Sequence, residues 1–470
     1  MGAFLEKPKT EKTVSQGEAN SLRWGVSAMQ GWRLEMEDAH TCETNLKLKG
    51  WSFFAVFDGH AGPKVSQYCS TNLLRHIMGL VKSSDKEEDV SKKMKRSFLE
   101  IDDMLKKENQ DERPSGGTTA VACMVSPDKF IWANCGDSRG LLCRANKLEY
   151  ATLDHKPMNE QERLRIEKAG GTVMMQRVNG SLAVSRALGD FDYKRSSELK
   201  QSEQLVSPEP DMYVLDRSKD DQFLLLACDG VYDVMTNDEI VAYILHHLQL
   251  ESKLSKICSD LIDTCLNKNS RDNMSVILIT FPSAPKVSPT AIEKEKQLKE
   301  ELHRRICDIL ERVSKEAHDP MDMEENYLLQ QLNTELSLQY PEIYSEREFI
   351  SRKIHEKKVE KFGKDANNFA GSDVSFEQVP EPLGFGDGQG DTYTDMGSNK
   401  EEEPQPEDMD TQQSEEQKEA GSSGEPASNS TGTAPNTNTT TTTTTSSTAS
   451  DTESQKPQAS PPQGNDPVQT

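Results

Sequence analysis

The sequence predicts an α+β protein in which two packed β-sheets are covered by helices, followed by a helical segment and a disordered tail. Strand-like apolar runs occur in clusters between about residues 20 and 282, together with amphipathic helical stretches. Helical periodicity then dominates, and beyond residue 363 the composition becomes acidic and rich in Thr and Ser. These three observations place a main domain at 1–289, a helical domain at 290–362 and a tail at 363–470.

The strands and helices of the main domain follow from the spacing of apolar residues. Runs of about four to eight apolar residues bounded by turn-forming residues are typical of buried strands. They occur at 51–57, 119–125, 129–135, 139–144, 222–228 and 274–281. Apolar side chains at three- and four-residue intervals predict helices at about 63–80, 91–107, 159–171 and 238–248. Because these elements do not alternate regularly, two packed sheets fit their order better than βαβ units do.

The segment 290–362 is charged but periodic. Its apolar positions step by four, four, three and four residues, at Leu298, Leu302, Ile306, Ile309 and Val313. This spacing predicts an amphipathic helix of several turns. Two further helices are predicted at about 325–337 and 346–360, so we expect a small bundle docked on the main domain.

The acidity of the chain is concentrated in its tail. Residues 365–470 contain 20 acidic and 3 basic side chains and so carry −17 of the formal charge of −24, which leaves −7 on residues 1–364. The chain lacks a basic footprint, which argues against nucleic acid as a partner. The tail cannot bury enough apolar area to offset its ordering entropy, so we predict disorder. Its acidic blocks are expected to be solvated, with a docking or phosphorylation role as the alternative.

Cysteine usage and the N-terminus bear on location. Nine cysteines without a C-x-x-C pair predict free thiols in a reducing compartment, and hence a cytoplasmic and also nuclear protein. The sequence shows neither an apolar stretch of about 18 residues nor a signal-peptide pattern. Met1-Gly2 makes Gly2 a candidate for N-myristoylation, although Glu6 stands where the motif has Ser or Thr. A single acyl chain would give only weak membrane association.

A recurring unit carries the chemistry: a strand-like run that delivers an aspartate at one end. Trp51–Phe57 is followed by Asp58, and Phe223–Cys228 is followed by Asp229. In a mirrored unit, Asp272 comes just before the run from Met274. Strands also end in Asp for turn reasons, so each residue taken alone could be a turn cap. Three such units together predict a set of fixed carboxylates.

Further acidic residues occur next to strand ends or turns. The full set is Glu37, Asp38, Asp58, Asp137, Asp229, Asp233 and Asp272. If several of them converge, repulsion raises their pKa values and opposes folding unless cations are present. Oxygen ligands without His or Cys suit Mg²⁺ or Mn²⁺. Two such ions that share a carboxylate activate a bridging water for attack on phosphorus. Asp58 suits the shared position, because Gly59 allows its carbonyl to approach a metal as well.

Two basic residues complete the predicted site. Arg33 lies four residues before Glu37, and an extended segment with period 2 would place Arg33, Glu35 and Glu37 on one face. A guanidinium there could hold a phosphate with two hydrogen bonds, with a surface ion pair as the alternative. His60 follows Asp58 by two residues and could protonate a departing alkoxide, or it could merely be solvated.

Six segments of the chain resemble the signature blocks of the metal-dependent serine/threonine protein phosphatases, the PPM family (type 2C). These blocks are Gln30–His40, Phe53–Gly62, Gly136–Leu142, Gly180–Asp190, Ala227–Val234 and Ser270–Val276. The opening residues 1–9 and the block 281–289 are similar to the animal alpha/beta isoform subgroup. The resemblance is strong over about residues 1–300 and stops before the tail.

The resemblance implies a sandwich of two antiparallel sheets flanked by helices on both sides, with a metal pair at one end. It implies that Asp58 bridges two Mg²⁺ or Mn²⁺ ions, with Asp229 and Asp272 completing one and Glu37 and the Gly59 carbonyl serving the other. It further gives Asp38 a hydrogen bond to metal-bound water. A weaker third ion would use Asp137, Asp229 and Asp233.

For catalysis, the resemblance implies that Arg33 binds the substrate phosphate and His60 acts as the acid for the leaving oxygen. It also implies that the reaction proceeds without a phosphoenzyme intermediate. The substrates would be phosphorylated proteins, and kinases of stress-activated (MAP kinase) pathways are expected among them. The enzyme is expected to be a monomer. One departure is Tyr232, where the family usually has Trp, and only local repacking is expected there. Myristoylation of the subgroup supports modification at Gly2.

Three rival functions fit the sequence less well. A cysteine-nucleophile phosphatase has two C-x₅-R matches, Cys69…Arg75 and Cys265…Arg271, but neither contains the glycines of a phosphate-cradling loop. A non-catalytic scaffold of the same fold would have lost metal ligands, and none is lost. A metal-dependent nuclease should display a basic groove, which the mildly acidic domain lacks.

Overall fold

The computed structural model describes residues 4–108 and 116–363, apart from the side chains of residues 341 and 342. All of these residues belong to one compact unit, Met1–Glu377. Gly2 and residues 364–470 lie outside the described residues, so N-myristoylation and the disorder of the tail remain predictions. Within the described parts, no helix is long and apolar enough to cross a membrane.

The strands range from two residues to sixteen. In chain order they are β1 Phe4–Ala19, β2 Leu22–Arg33, β3 Ala39–Glu43, β4 Ser52–Phe57, β5 Gly59–His60, β6 Gly117–Thr118, β7 Ala120–Val125, β8 Lys129–Cys135, β9 Arg139–Arg144, β10 Lys147–Ala151, β11 Val173–Met174, β12 Arg177–Val178, β13 Leu188–Gly189, β14 Asp211–Asp216, β15 Asp221–Ala227 and β16 Met274–Thr280.

The helices of residues 4–108 and 116–363 fall into two groups, those that precede β16 and those that follow it. In chain order they are α1 Lys64–Leu80, α2 Glu87–Glu108, α3 Glu160–Lys168, α4 Asp229–Tyr232, α5 Asn237–His247, α6 Leu254–Asn267, α7 Pro289–Glu316, α8 Glu325–Leu336 and α9 Arg347–Phe362.

Two antiparallel sheets form the body of the main domain. One sheet has the strand order β1-β2-β16-β15-β9-β10, and the other has the order β14-β8-β7-β4-β3. Their neighbouring strands pair antiparallel throughout. A smaller sheet, β13-β6-β5, and the hairpin β11-β12 complete the set. The predicted α+β class with two packed sheets and flanking helices is confirmed.

The apolar runs of the sequence are continuous because the central strands of both sheets are buried on both faces. Side chains alternate between faces along a strand. Thus Phe54 of β4 and Leu224 of β15 lie in the core between the two sheets. Their neighbours face outward into two further cores: Phe53 packs with α1 and α2, and Leu225 packs with α5 and α6. Helices therefore cover both outer faces of the sandwich.

The segment after residue 289 forms a small helical bundle with a core of its own, made by residues such as Leu302, Leu332 and Ile350. It docks on the main domain as predicted. Asn267 Nδ2 at the end of α6 donates to the Tyr344 carbonyl oxygen at 2.7 Å. A second contact joins α5 to α7, where His246 Nε2 lies 2.9 Å from Glu295 Oε2. The exact domain boundary stays a prediction.

The main difference from the sequence prediction is at the N-terminus. Regular structure was expected from about residue 20, yet β1 starts at Phe4 and pairs with β2 over nearly its whole length. Most β1 side chains are exposed or half-buried. The strand is therefore held by backbone hydrogen bonds to β2, which leave no apolar pattern in the sequence. Strands β2, β3, β10 and β14, the two-residue strands, and helices α4 and α6 were also not predicted.

Candidate active site

Strand register brings the predicted carboxylates to one end of the sandwich. Ala227 pairs with Val276 and Met274 pairs with Met29, so the end of β15, the start of β16 and the end of β2 are adjacent. Asp229 follows β15 and Asp272 precedes β16. Asp58 follows β4 in the other sheet. The predicted convergence of strand-end aspartates is therefore present in the fold.

The carboxylates are close enough to perturb one another strongly. Burial raises the pKa of Asp58 well above its usual range, and the charges of Asp229, Asp38, Asp137 and Asp272 raise it further. Burial also raises the pKa of Asp229, which faces the charges of Asp137, Asp233 and Asp272. Such a cluster destabilises the fold when it is ionised unless cations neutralise it.

Asp38 provides an independent sign that a cation belongs here. Its side chain is buried. The Ser275 hydroxyl and the Cys228 thiol lie close enough to lower its pKa, but within the described residues neither carboxylate oxygen has a partner at full hydrogen-bond distance and angle. Burial raises the pKa of Asp38 to about 7. Ligand atoms of Asp38, Asp58 and Cys228 lie within 4.8 Å of one another. A buried carboxylate without a partner is costly, so this geometry fits a bound dication or the water around it.

The donor set fits a hard cation. Apart from Cys228, the clustered groups are carboxylates, which Mg²⁺ and Mn²⁺ prefer. The Cys228 thiol donates to the Asn273 carbonyl oxygen at 3.4 Å. Burial raises the pKa of this thiol well above its usual range, with the nearby aspartates adding to the rise. It is therefore held as a neutral thiol rather than as a thiolate ligand.

Two glycines allow the backbone to pack tightly around the cluster. A Cβ at Gly59 would lie 2.4 Å from the Glu37 carbonyl oxygen. A Cβ at Gly230 would lie 2.3 Å from the Asn273 carbonyl oxygen. Contacts this short exclude any side chain, so both positions require glycine. The Gly59 carbonyl remains a predicted ligand.

Arg33 lies at the end of β2 between two of the predicted ligands. Its guanidinium contacts Glu37 Oε2 at 2.9 Å and Asp272 Oδ2 at 3.2 Å. The Arg33 side chain is 32% exposed. Because a guanidinium has five N–H donors, these two contacts leave others to bind an anion from the solvent side.

The predicted extended segment from Arg33 to Glu37 is wrong. Strand β2 ends at Arg33, the chain bends at residues 34 and 35, and Glu35 is exposed while Glu37 is buried. The cause is Asn273, whose Nδ2 donates to the Gln30 and Glu35 carbonyl oxygens at 2.8 and 3.0 Å. Its Oδ1 accepts from the Glu37 backbone N–H at 2.8 Å. Arg33 and Glu37 meet across a bend held by this side chain, not along a strand face.

His60 forms a contact that sequence reasoning missed. Its Nε2 lies 2.7 Å from Asp190 Oδ2, and the two residues are 130 positions apart. Burial lowers the pKa of His60, but the charge and hydrogen bond of Asp190 outweigh it, and the pKa is raised overall. Asp190 stands at the end of one signature block, Gly180–Asp190, which was the signal available for it.

The predicted third site is only partly enclosed. Asp137 is buried and forms an ion pair with Lys156, a residue that the sequence analysis did not single out. The Asp233 residue as a whole is exposed, but surrounding protein atoms partly desolvate its carboxyl group. This desolvation and the Asp137 charge raise its pKa, although the Lys156 charge opposes the rise. The structure thus brings Asp137, Asp229 and Asp233 near one another, with an ammonium group among them.

Comparison with known proteins assigns the family. Residues 22–274 match the family model described as Protein phosphatase 2C. The chain belongs to this family. Residues 275–355 match the model for the Protein serine/threonine phosphatase 2C, C-terminal domain. The two models meet inside β16, a strand in the middle of the six-stranded sheet.

Individual relatives within the protein phosphatase 2C family indicate the subgroup to which the chain belongs. Human protein phosphatase 1A is 51% identical over 329 residues, which cover 68% of this chain and 86% of the relative. Human protein phosphatase 1B is 48% identical over 331 residues, which cover 67% of this chain and 69% of the relative. A phosphatase structure from Toxoplasma gondii aligns with a TM-score of 0.51 at 27% identity, covering 58% of this chain and 96% of that one. The chain is a metal-dependent protein serine/threonine phosphatase of the animal alpha/beta subgroup.

The departure from the 2C pattern at Tyr232 is accommodated locally. The Arg139 guanidinium stacks over the Tyr232 ring, 4.5 Å from its centroid. The Tyr232 hydroxyl donates to the Arg139 carbonyl oxygen at 3.1 Å. The aromatic body is kept and its polar tip has a partner, which agrees with the expected local repacking.

The cysteine rival has no support in the fold. Cys69 lies within α1 and Cys265 within α6, and both are completely buried. Burial raises the pKa of Cys69 well above its usual range and that of Cys265 to about 12. A nucleophilic cysteine needs a lowered pKa and access to substrate. Neither thiol has these properties. All nine cysteines lie in the described residues and are free.

Proposed function

We propose that this phosphatase hydrolyses phosphoserine and phosphothreonine in a single displacement by water, without a phosphoenzyme, at two Mg²⁺ or Mn²⁺ ions. The observation that carries the proposal is the half-buried, mutually repelling cluster of carboxylates around Asp58, with the buried carboxylate of Asp38 beside it. When bound, such an ion pair lowers the pKa of a shared water, which can then attack phosphorus near neutral pH.

The proposed ligand set divides between the two ions. Asp58 would be the ligand shared by both, the role that the resemblance gives it, and the charges of Asp229, Asp38, Asp137 and Asp272 all act on its carboxyl group. Asp229 and Asp272 complete one ion, and both lie at the β15–β16 end of the sheet. Glu37 and the Gly59 carbonyl serve the other. Glu37 is held in place because its Oε1 accepts from the Gly62 N–H at 2.6 Å.

Three side chains act on the substrate and water in this proposal. Arg33 binds the phosphate through its solvent-facing N–H groups. Asp38 would orient the attacking water by accepting its hydrogen bonds, a role that its buried carboxylate beside Asp58 supports. His60 donates a proton to the serine or threonine oxygen as the ester bond breaks.

A weaker third ion is proposed at Asp137, Asp229 and Asp233. The ion would compete with the Lys156 ammonium, which already pairs with Asp137. Such competition lowers the affinity of a cation for the site, because Lys156 must first move away. This accounts physically for a third ion that binds more weakly than the other two.

The physiological substrates are proposed from the resemblance to the alpha/beta subgroup. We propose phosphorylated protein kinases of stress-activated MAP kinase pathways, which the enzyme would regulate negatively as a monomer. We also propose a cytoplasmic and nuclear location, with weak membrane association through N-myristoylated Gly2. A pull-down with the Asp229→Asn variant should retain phosphorylated kinases that the unsubstituted enzyme releases.

The test of the proposed chemistry uses the full chain and a phosphothreonine peptide. A chelator should abolish activity, and added Mn²⁺ or Mg²⁺ should restore it. Asp229→Asn should lower kcat at least about 10²-fold, because it removes one of the carboxylates that would hold the cations. Phosphate release against metal concentration is the measurement.

The matched controls are Cys69→Ser and Cys265→Ser, which change buried thiols by one atom each. Both variants should keep kcat within about threefold of the unsubstituted enzyme, since neither thiol reaches the site. Loss of activity in the cysteine variants with retention in Asp229→Asn would contradict the proposal. Activity that persists in chelator would contradict it as well.

A further inference from the structure

A three-stranded sheet beside the carboxylate cluster carries both His60 and Asp190. Its order is β13-β6-β5, with β6 in the middle. His60 of β5 and Gly189 of β13 both pair with Gly117 of β6, from opposite sides. Asp190 directly follows Gly189, so it faces His60 across the central strand.

The central strand is shaped to let the Asp190 carboxylate pass. A Cβ at Gly117 would lie 2.4 Å from Asp190 Oδ2, so only glycine leaves room for the carboxylate. Asp190 itself has a φ of +50°, a left-handed conformation that is uncommon outside Gly, Asn and Asp. Both features are backbone adaptations around a single contact, the 2.7 Å hydrogen bond between Asp190 Oδ2 and His60 Nε2.

Within the described residues, the Asp190 side chain has no other evident structural role. It stands before the short 3-10 helix Phe191–Tyr193, but its side chain does not cap that helix. The residue is only 6% exposed. A buried carboxylate needs a partner, and the hydrogen bonds found for this one in the described parts of the chain lead to His60 alone.

Helix α2 contacts the chain on both sides of Asp190, the backbone on one side and a lysine side chain on the other. Asp102 of α2 accepts from the Gly189 N–H at 2.8 Å and from Lys194 Nζ at 2.7 Å. Lys194 is buried and also donates to the Ala187 carbonyl oxygen at 2.8 Å. The carboxylate is therefore presented to His60 by a rigid support, as a group that orients another must be.

We propose that Asp190 is a positioning residue for His60. Because a carboxylate accepts, Nε2 carries the hydrogen of this bond. Within the described residues Nδ1 has no hydrogen-bond partner, and the His60 side chain is 25% exposed. Asp190 thus fixes the ring and leaves Nδ1 as the nitrogen that delivers the proton. This inference rests on the proposed general-acid role of His60.

The step that Asp190 supports conserves atoms, electrons and protons. Water forms the new bond to phosphorus, and the bond from phosphorus to the serine or threonine oxygen breaks with its electron pair on that oxygen. The oxygen takes the Nδ1 proton of the His60 imidazolium. The proton released by the attacking water restores the imidazolium, and the products are the alcohol side chain and inorganic phosphate.

The test compares two substrates that differ in their need for an acid. A threonine alkoxide is a poor leaving group and needs a proton, whereas p-nitrophenolate leaves without one. The variant Asp190→Asn keeps the size of the side chain and tolerates positive φ. With Mn²⁺ present, it should lower kcat for a phosphothreonine peptide about 10–100-fold. Its kcat for p-nitrophenyl phosphate and its peptide KM should stay within about threefold.

A second variant and a control make the test sharper. Gly117→Ala should push the Asp190 carboxylate off His60 and give the same substrate-selective loss without changing Asp190 itself. The control Asp192→Asn makes the same chemical change two residues away, at a side chain that is 80% exposed and paired only with Arg195 among the contacts found. It should leave both substrates unaffected.

The outcomes separate this inference from the proposed function. Equal loss on both substrates, or no loss on the peptide, in Asp190→Asn would overturn the positioning role. If His60→Gln shows the selective loss and Asp190→Asn does not, only the positioning role fails. If His60→Gln itself shows no selective loss, the general-acid role in the proposed function fails, and the inference fails with it.

Discussion

Asn273 shows how one side chain can shape the active-site end of the sandwich. It is 3% exposed and makes three hydrogen bonds to backbone groups, those of Gln30, Glu35 and Glu37. These bonds replace the strand partner that the chain loses where β2 ends. The resulting bend turns Glu37 toward the interior and leaves Arg33 partly exposed at the edge of the site.

We predict that Asn273→Ala lowers the free energy of unfolding by about 2–4 kcal/mol, because buried backbone groups lose their partners. It should also reduce kcat, since Glu37 is no longer held. Urea unfolding and peptide kinetics are the measurements. The control Asn72→Ala removes the hydrogen bond of its Nδ2 to the Tyr68 carbonyl oxygen at 2.9 Å and an exposed one from Arg75 Nη1 at 3.2 Å. Because both lie near solvent, it should cost about 1 kcal/mol or less. Similar losses in the two variants would contradict the role given to Asn273.

At the scale of elements, the prediction succeeded where burial leaves an apolar pattern. Strands β4, β15 and β16 are apolar on both faces, so they could be predicted from the sequence. The predicted ends of these strands then identified Asp58, Asp229 and Asp272. Strand β1 was missed because it is stabilised by backbone pairing at a solvent-exposed edge. The Asp190–His60 contact was missed because it joins residues 130 positions apart. Such contacts depend on the packing of whole strands and have no local signature.

Helix α3 is attached to the domain by a buried ionic network. Glu162 of α3 contacts Arg165 Nη1 at 2.6 Å and Arg186 Nη2 at 2.7 Å, and the Ser185 hydroxyl donates to it at 2.6 Å. Burial alone would raise the pKa of Glu162. The hydrogen bonds and charges of Arg186 and Arg165 outweigh burial and lower the pKa to about 2.

This lowered pKa predicts a pH dependence of stability with a definite sign. A carboxylate with a folded-state pKa below its unfolded value of about 4.5 stabilises the fold above that pH, by about 3 kcal/mol here. The contribution is lost as the pH falls from about 4.5 to about 2. We therefore expect the stability difference between the unsubstituted chain and Glu162→Gln to shrink over this window. Chemical unfolding of both at several pH values measures it, and a constant difference would contradict the assignment.

At the scale of the whole molecule, the proposed catalytic residues all lie between Arg33 and Asp272. The tail from residue 365 carries −17 of the formal charge of −24. None of the proposed metal ligands or substrate-binding residues lies in the tail, so we expect the chemistry of the site not to depend on it.

We predict that deletion of residues 365–470 leaves kcat and KM for a phosphothreonine peptide within about twofold at physiological ionic strength. Steady-state kinetics of the full and shortened chains are the measurement. A large change in kcat would show that the tail acts on the active site.

The central claim is that the fold assembles repelling carboxylates for cations to neutralise. Thermal unfolding of the full chain and of Asp58→Asn, each with and without Mn²⁺, tests it most directly. Without Mn²⁺ near pH 8, we predict that Asp58→Asn is the more stable of the two, because a neutral amide relieves the repulsion that raises the pKa of Asp58. Saturating Mn²⁺ should stabilise the unsubstituted chain by about 3 kcal/mol at a hundredfold excess over Kd, and the variant much less. An Asp58→Asn variant that is less stable without Mn²⁺ and gains as much from Mn²⁺ as the unsubstituted chain would contradict the claim.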